Sequence, residues 1–556
     1  MQIARSVPSV VLATALLFGC SGGKKPPTLA VSKPAPIAIA VPAPPESKDL
    51  WGYAKLKDPA AVATRLLGPL TQPMLLSMGL SPSDLKPGSV ASLYVWDPED
   101  KPLLAAPSAL IVPIPTEGER AQELSRVFPD SQRSAVPQGT LFLLNPATQA
   151  KAQTQRESLI KLAAAQSPFD VVLYAYLDPI LQKHGATLRE LLRKASAAGQ
   201  QPAVPGTQES VSKLFNQAVD ALVELKSAAV AANLSDKALE LLLITENKAA
   251  TPKAEPYAVP DLVQFLPPAH LRFQWNTRDM QKFMDFYMKT YAPMFDSQPP
   301  LKEAMQAVMR EWQKAGQKMS MSAAVTIGGE SFLQMTSIMK VDDGKAAMAA
   351  MRNGFKLLQS PEMKKSWEQL GIEMQSTSAQ GVRKLHGWPV DRYDYSYKVV
   401  KPEMKQAQAM FDKLSNLKME VVQVGGYLVF AMGGSVDQPV NALMTGKGEF
   451  PTEAQKRFPA GGAAYVDIDL QRIVQTVEKQ LGRPIGVPLP QGAEVVSAAS
   501  FDGGPASQYQ LHVPKPLVDL AIGVLISNMQ SRSRPNDDFG YDPAGPMGPP
   551  SGAPPP

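Results

Sequence analysis

Cysteine is almost missing from this chain: among 556 residues there is one, Cys20. No intrachain disulfide can form, so the fold must be held by its core alone. Histidine is nearly as scarce. His184, His270, His386 and His512 lie at least 86 residues apart in sequence, whereas paired metal-ligand histidines usually sit a few residues apart on one element. No metal site and no cofactor is expected. The motifs HExxH and GxSxG are absent, and Gly446-Lys447 lacks both the upstream Gly and the following Ser or Thr of a phosphate loop. An enzyme is therefore not expected. Charge of one sign is lacking too: 56 Lys and Arg face 51 Asp and Glu, a net charge of +5. That near-neutrality gives no electrostatic case for nucleic acid. No apolar run reaches the about 20 residues that a membrane-crossing helix needs.

What is present begins at the amino terminus. In "MQIARSVPSVVLATALLFGC", Arg5 and the terminal amine supply a short positive region, and Val10 to Phe18 is apolar but for one Thr. A charged start, a short apolar centre and small residues at the end describe a secretory signal. Its last four residues, Leu17-Phe18-Gly19-Cys20, resemble the lipobox of bacterial lipoproteins, with Phe18 where that family prefers a small residue. The resemblance implies cleavage before Cys20 and acylation of its thiol and new amine. Acyl chains would then anchor the chain, since each buried methylene contributes about 0.8 kcal/mol and stable attachment takes more than one chain. In enteric members of that family an Asp after the Cys favours retention in the inner membrane, so by the resemblance Ser21 is compatible with the expected outer-membrane position, facing periplasm or surface.

These features divide the chain into a signal peptide (1–19), an acylated Cys20 with a Pro-rich tether (20–47), a first lobe (48–250), a second lobe (255–531) and a Pro/Gly-rich tail (532–556). The tether carries seven prolines and no aromatic residue, a composition that favours extended polyproline II. The tail has the same character and is expected to be disordered. The stretch around Pro252 would hinge the lobes.

The two lobes follow from internal similarity. Stretches from Leu50, Val171, Leu271 and Ala463 each open with a short alternating strand and pass a polar residue (Asp58, Asp178, Asn276 or Asp469) into a helical pattern. Short Asp and Asn side chains suit such junctions because they accept hydrogen bonds from a helix's first free amides. Stretches from Gly139 and Gly425 share a glycine turn, a strand, a loop and a helix, and those from Ser108 and Ser331 share strand-then-helix. The spacing predicts an α+β protein: two related lobes of mostly antiparallel sheet covered by helices. Residues 208–246 are predicted to be wholly helical. This arrangement resembles uncharacterised envelope lipoproteins built from duplicated strand–helix lobes.

Methionine is the compositional oddity. Nineteen of 24 lie between Met280 and Met444. Many fall on apolar helix stripes, which suits an adaptable core, but flexible thioethers also line grooves for apolar ligands and can bind Cu(I). Met280, Met284, Met288, Met305 and Met309 are the candidate contacts for such a ligand. Tyr393, Tyr395 and Tyr397 alternate on one strand face, which could stack on sugar rings or pack inside a sheet. The expected function is a non-catalytic, lipid-anchored envelope protein with a binding or scaffolding role, held to the membrane by Cys20 and contacting an envelope protein. The alternative is a periplasmic carrier of lipid or another apolar ligand in a Met-rich pocket of the second lobe.

Overall fold

The computed structural model describes residues 29, 31–32, 50–67, 88–97, 106–165, 167–198, 224–248, 259–277, 279–281, 284–285, 288, 299–328, 333–369, 371–400, 417–448, 450, 452–459, 461–481, 495–502 and 506–522. Cys20, the signal peptide, most of the tether, the Pro252 linker and the tail lie outside the described residues.

In the first half the strands are β1 (Leu50–Lys57), β2 (Val90–Trp96), β3 (Ser108–Val112), β4 (Gln132–Val136), β5 (Gly139–Leu143), β6 (Val171–Tyr176), β7 (Leu225–Leu234) and β8 (Ala238–Asn247). Helices α1 (Pro59–Leu67), α2 (Glu119–Val127), α3 (Pro146–Ala164) and α4 (Leu177–Ala198) intervene. The second half has β9 (Leu271–Thr277), β10 (Met319–Ile327), β11 (Leu333–Lys340), β12 (Ile372–Leu385), β13 (Trp388–Val399), β14 (Leu417–Val424), β15 (Tyr427–Met432), β16 (Ala464–Ile468), β17 (Val496–Asp502) and β18 (Ala506–Pro514). Its helices are α5 (Pro299–Lys314), α6 (Gly344–Leu358), α7 (Pro361–Gln369), α8 (Asp437–Thr445), α9 (Glu453–Arg457) and α10 (Leu470–Leu481).

These strands correct the expected fold class. They do not build two α+β lobes with separate sheets; all 18 join one open antiparallel sheet. Its order is β4-β5-β3-β2-β1-β6-β7-β8-β18-β17-β16-β9-β10-β11-β15-β14-β13-β12. The join is β8 against β18, paired over Ala238–Glu246 and Ala506–Pro514. Each would otherwise be an edge strand with a row of unpaired N–H and C=O groups, and each satisfies the other. Walking outward from this join, the two sides run in the same order: β8, β7, β6, β1, β2, β3, β5, β4 on one side, and β18, β17, β16, β9, β10, β11, β15, β14 on the other. The second side then adds the β12–β13 hairpin. At the join Leu243 pairs with Tyr509, and these two occupy matching places in the two series. A pseudo-two-fold axis therefore crosses the sheet between them.

The predicted helix over 208–246 is corrected from residue 225 on, since Leu225–Leu234 and Ala238–Asn247 are strands; residues 208–223 lie outside the described residues. Their Ala and Leu content favours helix locally, but pairing on both sides of β8 overrides that preference. The polar turn helps: Ser235 Oγ accepts from the amides of Lys237 and Ala238 and holds the chain reversal.

Side chains alternate across the sheet. In the second half both faces are covered. Met319, Met321, Met335, Met339, Met419 and Met432 pack with Trp312 of α5 and with Met348, Met351 and Phe355 of α6 on one face. Ile338, Val390, Val422, Val429 and Ala431 pack with the 262–266 segment and α8 on the other. In the first half Tyr53, Tyr94, Val172, Ala231 and Leu242 pack against Leu159 and Leu162 of α3. On the other face Phe142 and Leu110 pack with Ala121 and Leu124 of α2, and among the described residues no core cluster covers that face of β6, β7 and β8.

Candidate binding surface

The uncovered face of the central strands is the most distinctive surface of the fold. On β6, β7, β8 and β18, Leu173 pairs with Val230, Val230 with Leu243, and Leu243 with Tyr509. Directly opposed residues share a face, so these four make one row across the sheet. Their exposures are 48%, 38%, 36% and 48%, large values for apolar residues in interior strands. The row continues through Ser500 on β17 and Ala464 on β16. Two residues along each strand, a parallel row runs Val171, Ala232, Leu241, Leu511, Ala498, Val466. None of these twelve residues is charged. Monomeric soluble proteins rarely expose contiguous apolar patches of more than a few hundred Å².

Beneath it, the opposite face of the same strands is polar at the second-half side and tightly bonded. Asp467 on β16 is buried and accepts from the amides of Glu453 (2.7 Å) and Ala454 (2.9 Å) and from Ser497 Oγ (2.8 Å). Burial raises its carboxyl above the usual carboxylate range, and the bonds from Ser497, Ala454 and Glu453 oppose that shift. Asn276 on β9 accepts from Ser320 Oγ (2.6 Å) and donates to the Gly462 carbonyl (2.9 Å). Gln274 accepts from Ser322 Oγ and the Leu262 amide. At the position matching Asn276 in the first half, buried Lys55 donates to the carbonyls of Leu162 and Ala165 and so caps the end of α3. Burial lowers its amine. These polar groups are mutually satisfied, and they hold β1, β9 and β16 in register below the open face.

His270 stands at the start of β9, buried, with Nδ1 accepting from the Ile327 amide at 2.8 Å and Nε2 3.0 Å from Thr476 Oγ1. An accepting Nδ1 makes the ring neutral. Burial lowers its pKa, Arg472 nearby lowers it further, and Asp469 opposes them.

The residues singled out in the sequence lie elsewhere. Met280, Met284 and Met309 are buried in the core beside β9 and β10, and Met288 and Met305 pack partly exposed against the same cluster. The structure thus brings the five methionines together, on the covered part of the sheet. Tyr393 and Tyr395 are closed off from solvent, their rings 4.3 and 5.3 Å from that of Phe355. Asn276 is not a helix start but a strand residue. Asp58 and Asp469 do accept from helix amides, at Ala61 and at Arg472. Among the described residues, one shallow cavity of about 380 Å³ lies between Gln264, Phe450 and Asn441 and another of about 410 Å³ beside Arg65, Asp170 and Glu240; neither touches a methionine. Among the described residues no group of His, Cys, Asp and Glu is arranged to hold a metal ion, and no helix is long and apolar enough to cross a membrane.

Helical propensity over 225–246 conceals the row through Leu243 from a reading of the sequence. A signal was present: in "ALELLLIT" (238–245), apolar residues fall on both faces of a strand, the pattern of strands covered on both sides. No family model, curated protein or solved structure matches this chain.

Proposed function

We infer that this chain is a non-catalytic, lipid-anchored protein of the cell envelope that binds a protein partner through its open sheet face and serves a scaffolding role. The observation that carries this is the uncharged row Leu173–Val230–Leu243–Tyr509. Four large side chains are left between about a third and a half exposed, three of them on β6, β7 and β8, whose other face packs into the core beside α3. Covering such side chains with a partner contributes about 25 cal/mol for each Å² of apolar surface removed from water. The lipobox-like segment ending at Cys20 supports the anchor and the envelope address.

Two variants test the two halves of this reading. Cys20→Ser should release the chain from the membrane fraction and leave its signal unprocessed at that site; retention with unchanged processing would sink the anchor. Leu243→Asp, with the anchor intact, should shift the detergent-solubilised envelope protein on a native gradient from a larger assembly to the size of one chain. Wild-type protein that already runs as a single chain would remove the binding role.

A further inference from the structure

One short piece of the Pro-rich segment belongs to the folded body. Val31 and Ser32 pair antiparallel with Pro260 and Val259, a two-residue ladder separate from the 18-stranded sheet. Two residues before it, Leu29 is 9% exposed and belongs to the same core cluster as Leu262, Val263, Phe265 and Leu266. Leu29 is the only leucine between Cys20 and Ser47. Its burial and the ladder fasten this strap to the second half, although the chain next enters the sheet in the first half, at Leu50 of β1. We propose that the anchor at Cys20 grips the second half through the strap at Leu29–Ser32, and that the 259–268 side of that half is the surface presented to the lipid headgroups.

The reach of the chain carries this. Cys20 and Leu29 are nine peptide steps apart. At no more than about 3.6 Å per step, they can be separated by about 32 Å at most. A chain that first met the body at Leu50 would have thirty steps, and a reach of about 108 Å. The strap therefore removes about two-thirds of the reach. Lys24 and Lys25 lie within the short stretch that is left, and basic residues beside an anchor are drawn to anionic headgroups. The strap also moves the point of attachment from β1 to the segment before β9. In the sheet β9 stands eleven pairings from β4, the outermost strand of the first half. At about 4.8 Å per strand that is about 50 Å along the sheet. The anchor thus holds the 259–268 side directly and the far edge at β4 only through the sheet.

This inference rests on the lipid anchor proposed above and adds where that anchor holds the body. The test uses the lipidated full chain in vesicles of phosphatidylethanolamine and phosphatidylglycerol that carry a rhodamine-labelled lipid. Acylation blocks Cys20, so a fluorescein maleimide on Pro268→Cys, an exposed position, reports energy transfer to the bilayer from the strapped side. A spacer of about 20 Gly and Ser residues is placed either between Gly22 and Gly23, ahead of the strap, or between Pro42 and Ala43, behind it. The first spacer should lower transfer about twofold, because the permitted span grows from about 32 Å to about 104 Å. The second should leave transfer unchanged. In Leu29→Asp the two spacers should act alike, and circular dichroism checks that the body stays folded. If the two spacers act alike in the chain that keeps Leu29, the strap does not carry the anchor, and this inference fails while the anchor stands. A chain that does not stay on the vesicles has no anchor, and both readings fail.

Discussion

Replacing Asp467 tests how the open face is supported. Its carboxylate is buried and accepts three hydrogen bonds, two from the first amides of α9 and one from Ser497 on β17. Bonds to a charged group contribute about 1.5–3 kcal/mol each, but the cost of burying the carboxylate, which also raises its pKa, offsets part of that. Asp467→Ala removes both and leaves two amides and a hydroxyl without partners. At about 1–3 kcal/mol for each unsatisfied buried group, and with partial relaxation, we expect a loss of about 3 kcal/mol. Asp467→Asn should cost nearly as much, because its amide places a donor against donors. Ser497→Ala, which breaks one bond, should cost about 1 kcal/mol. Urea unfolding followed by tryptophan fluorescence gives the ranking, and hydrogen exchange gives the location: the amides of Glu453 and Ala454 should lose protection selectively. A change below about 1 kcal/mol for Asp467→Ala, or unaltered exchange at those amides, would refute the reasoning.

Three further outcomes follow from the packing. A Cβ at Gly52 would stand 2.2 Å from the Tyr174 carbonyl oxygen on the neighbouring strand, so Gly52→Ala should cost about 1–3 kcal/mol, read as a lower denaturation midpoint. Met348 is fully buried among the methionines of the second half, so Met348→Ala should cost about 2–5 kcal/mol; a smaller loss by calorimetry would mean the cluster is loosely packed. His270 is neutral in the fold, with a pKa below the usual 6.5. The unfolded chain therefore binds more protons there. Its contribution is fully present above pH 6.5 and is lost as pH falls from 6.5 toward the folded value. The fall in urea midpoint across that window should be shallower in His270→Asn, and an unchanged pH slope would contradict the assignment.

Much of the strand architecture was legible in the residues. Alternation at Leu50, Val171, Leu271 and Ala463 places β1, β6, β9 and β16, and Asp58 and Asp469 begin helices as short acceptors do. Asn276 looked the same but is a strand residue, because its bonding partners, Ser320 and Gly462, are distant in sequence and invisible to local pattern. The single sheet was not legible for the same reason. Nothing in "ALELLLITEN" or "ASQYQLHVP" records that these strands, more than 250 residues apart, satisfy each other's edges. Helical propensity in the Ala-rich 225–234 stretch concealed β7 as well, and with it the apolar row. The methionine-rich region was conspicuous in composition, and the structure places those residues in the core between α5, α6 and the sheet.

The proposed binding role requires the row through Leu243 to be covered in the envelope. Because Cys20 is the only native cysteine, a single thiol at that row can be read without interference. Leu243→Cys should react fully with a small maleimide in dilute purified Cys20→Ser protein and be protected in isolated envelopes. Val382→Cys, on the exposed β12 edge at 46% exposure, should react in both. Equal labelling of Leu243→Cys in the two settings would mean that nothing covers the face and would contradict the account.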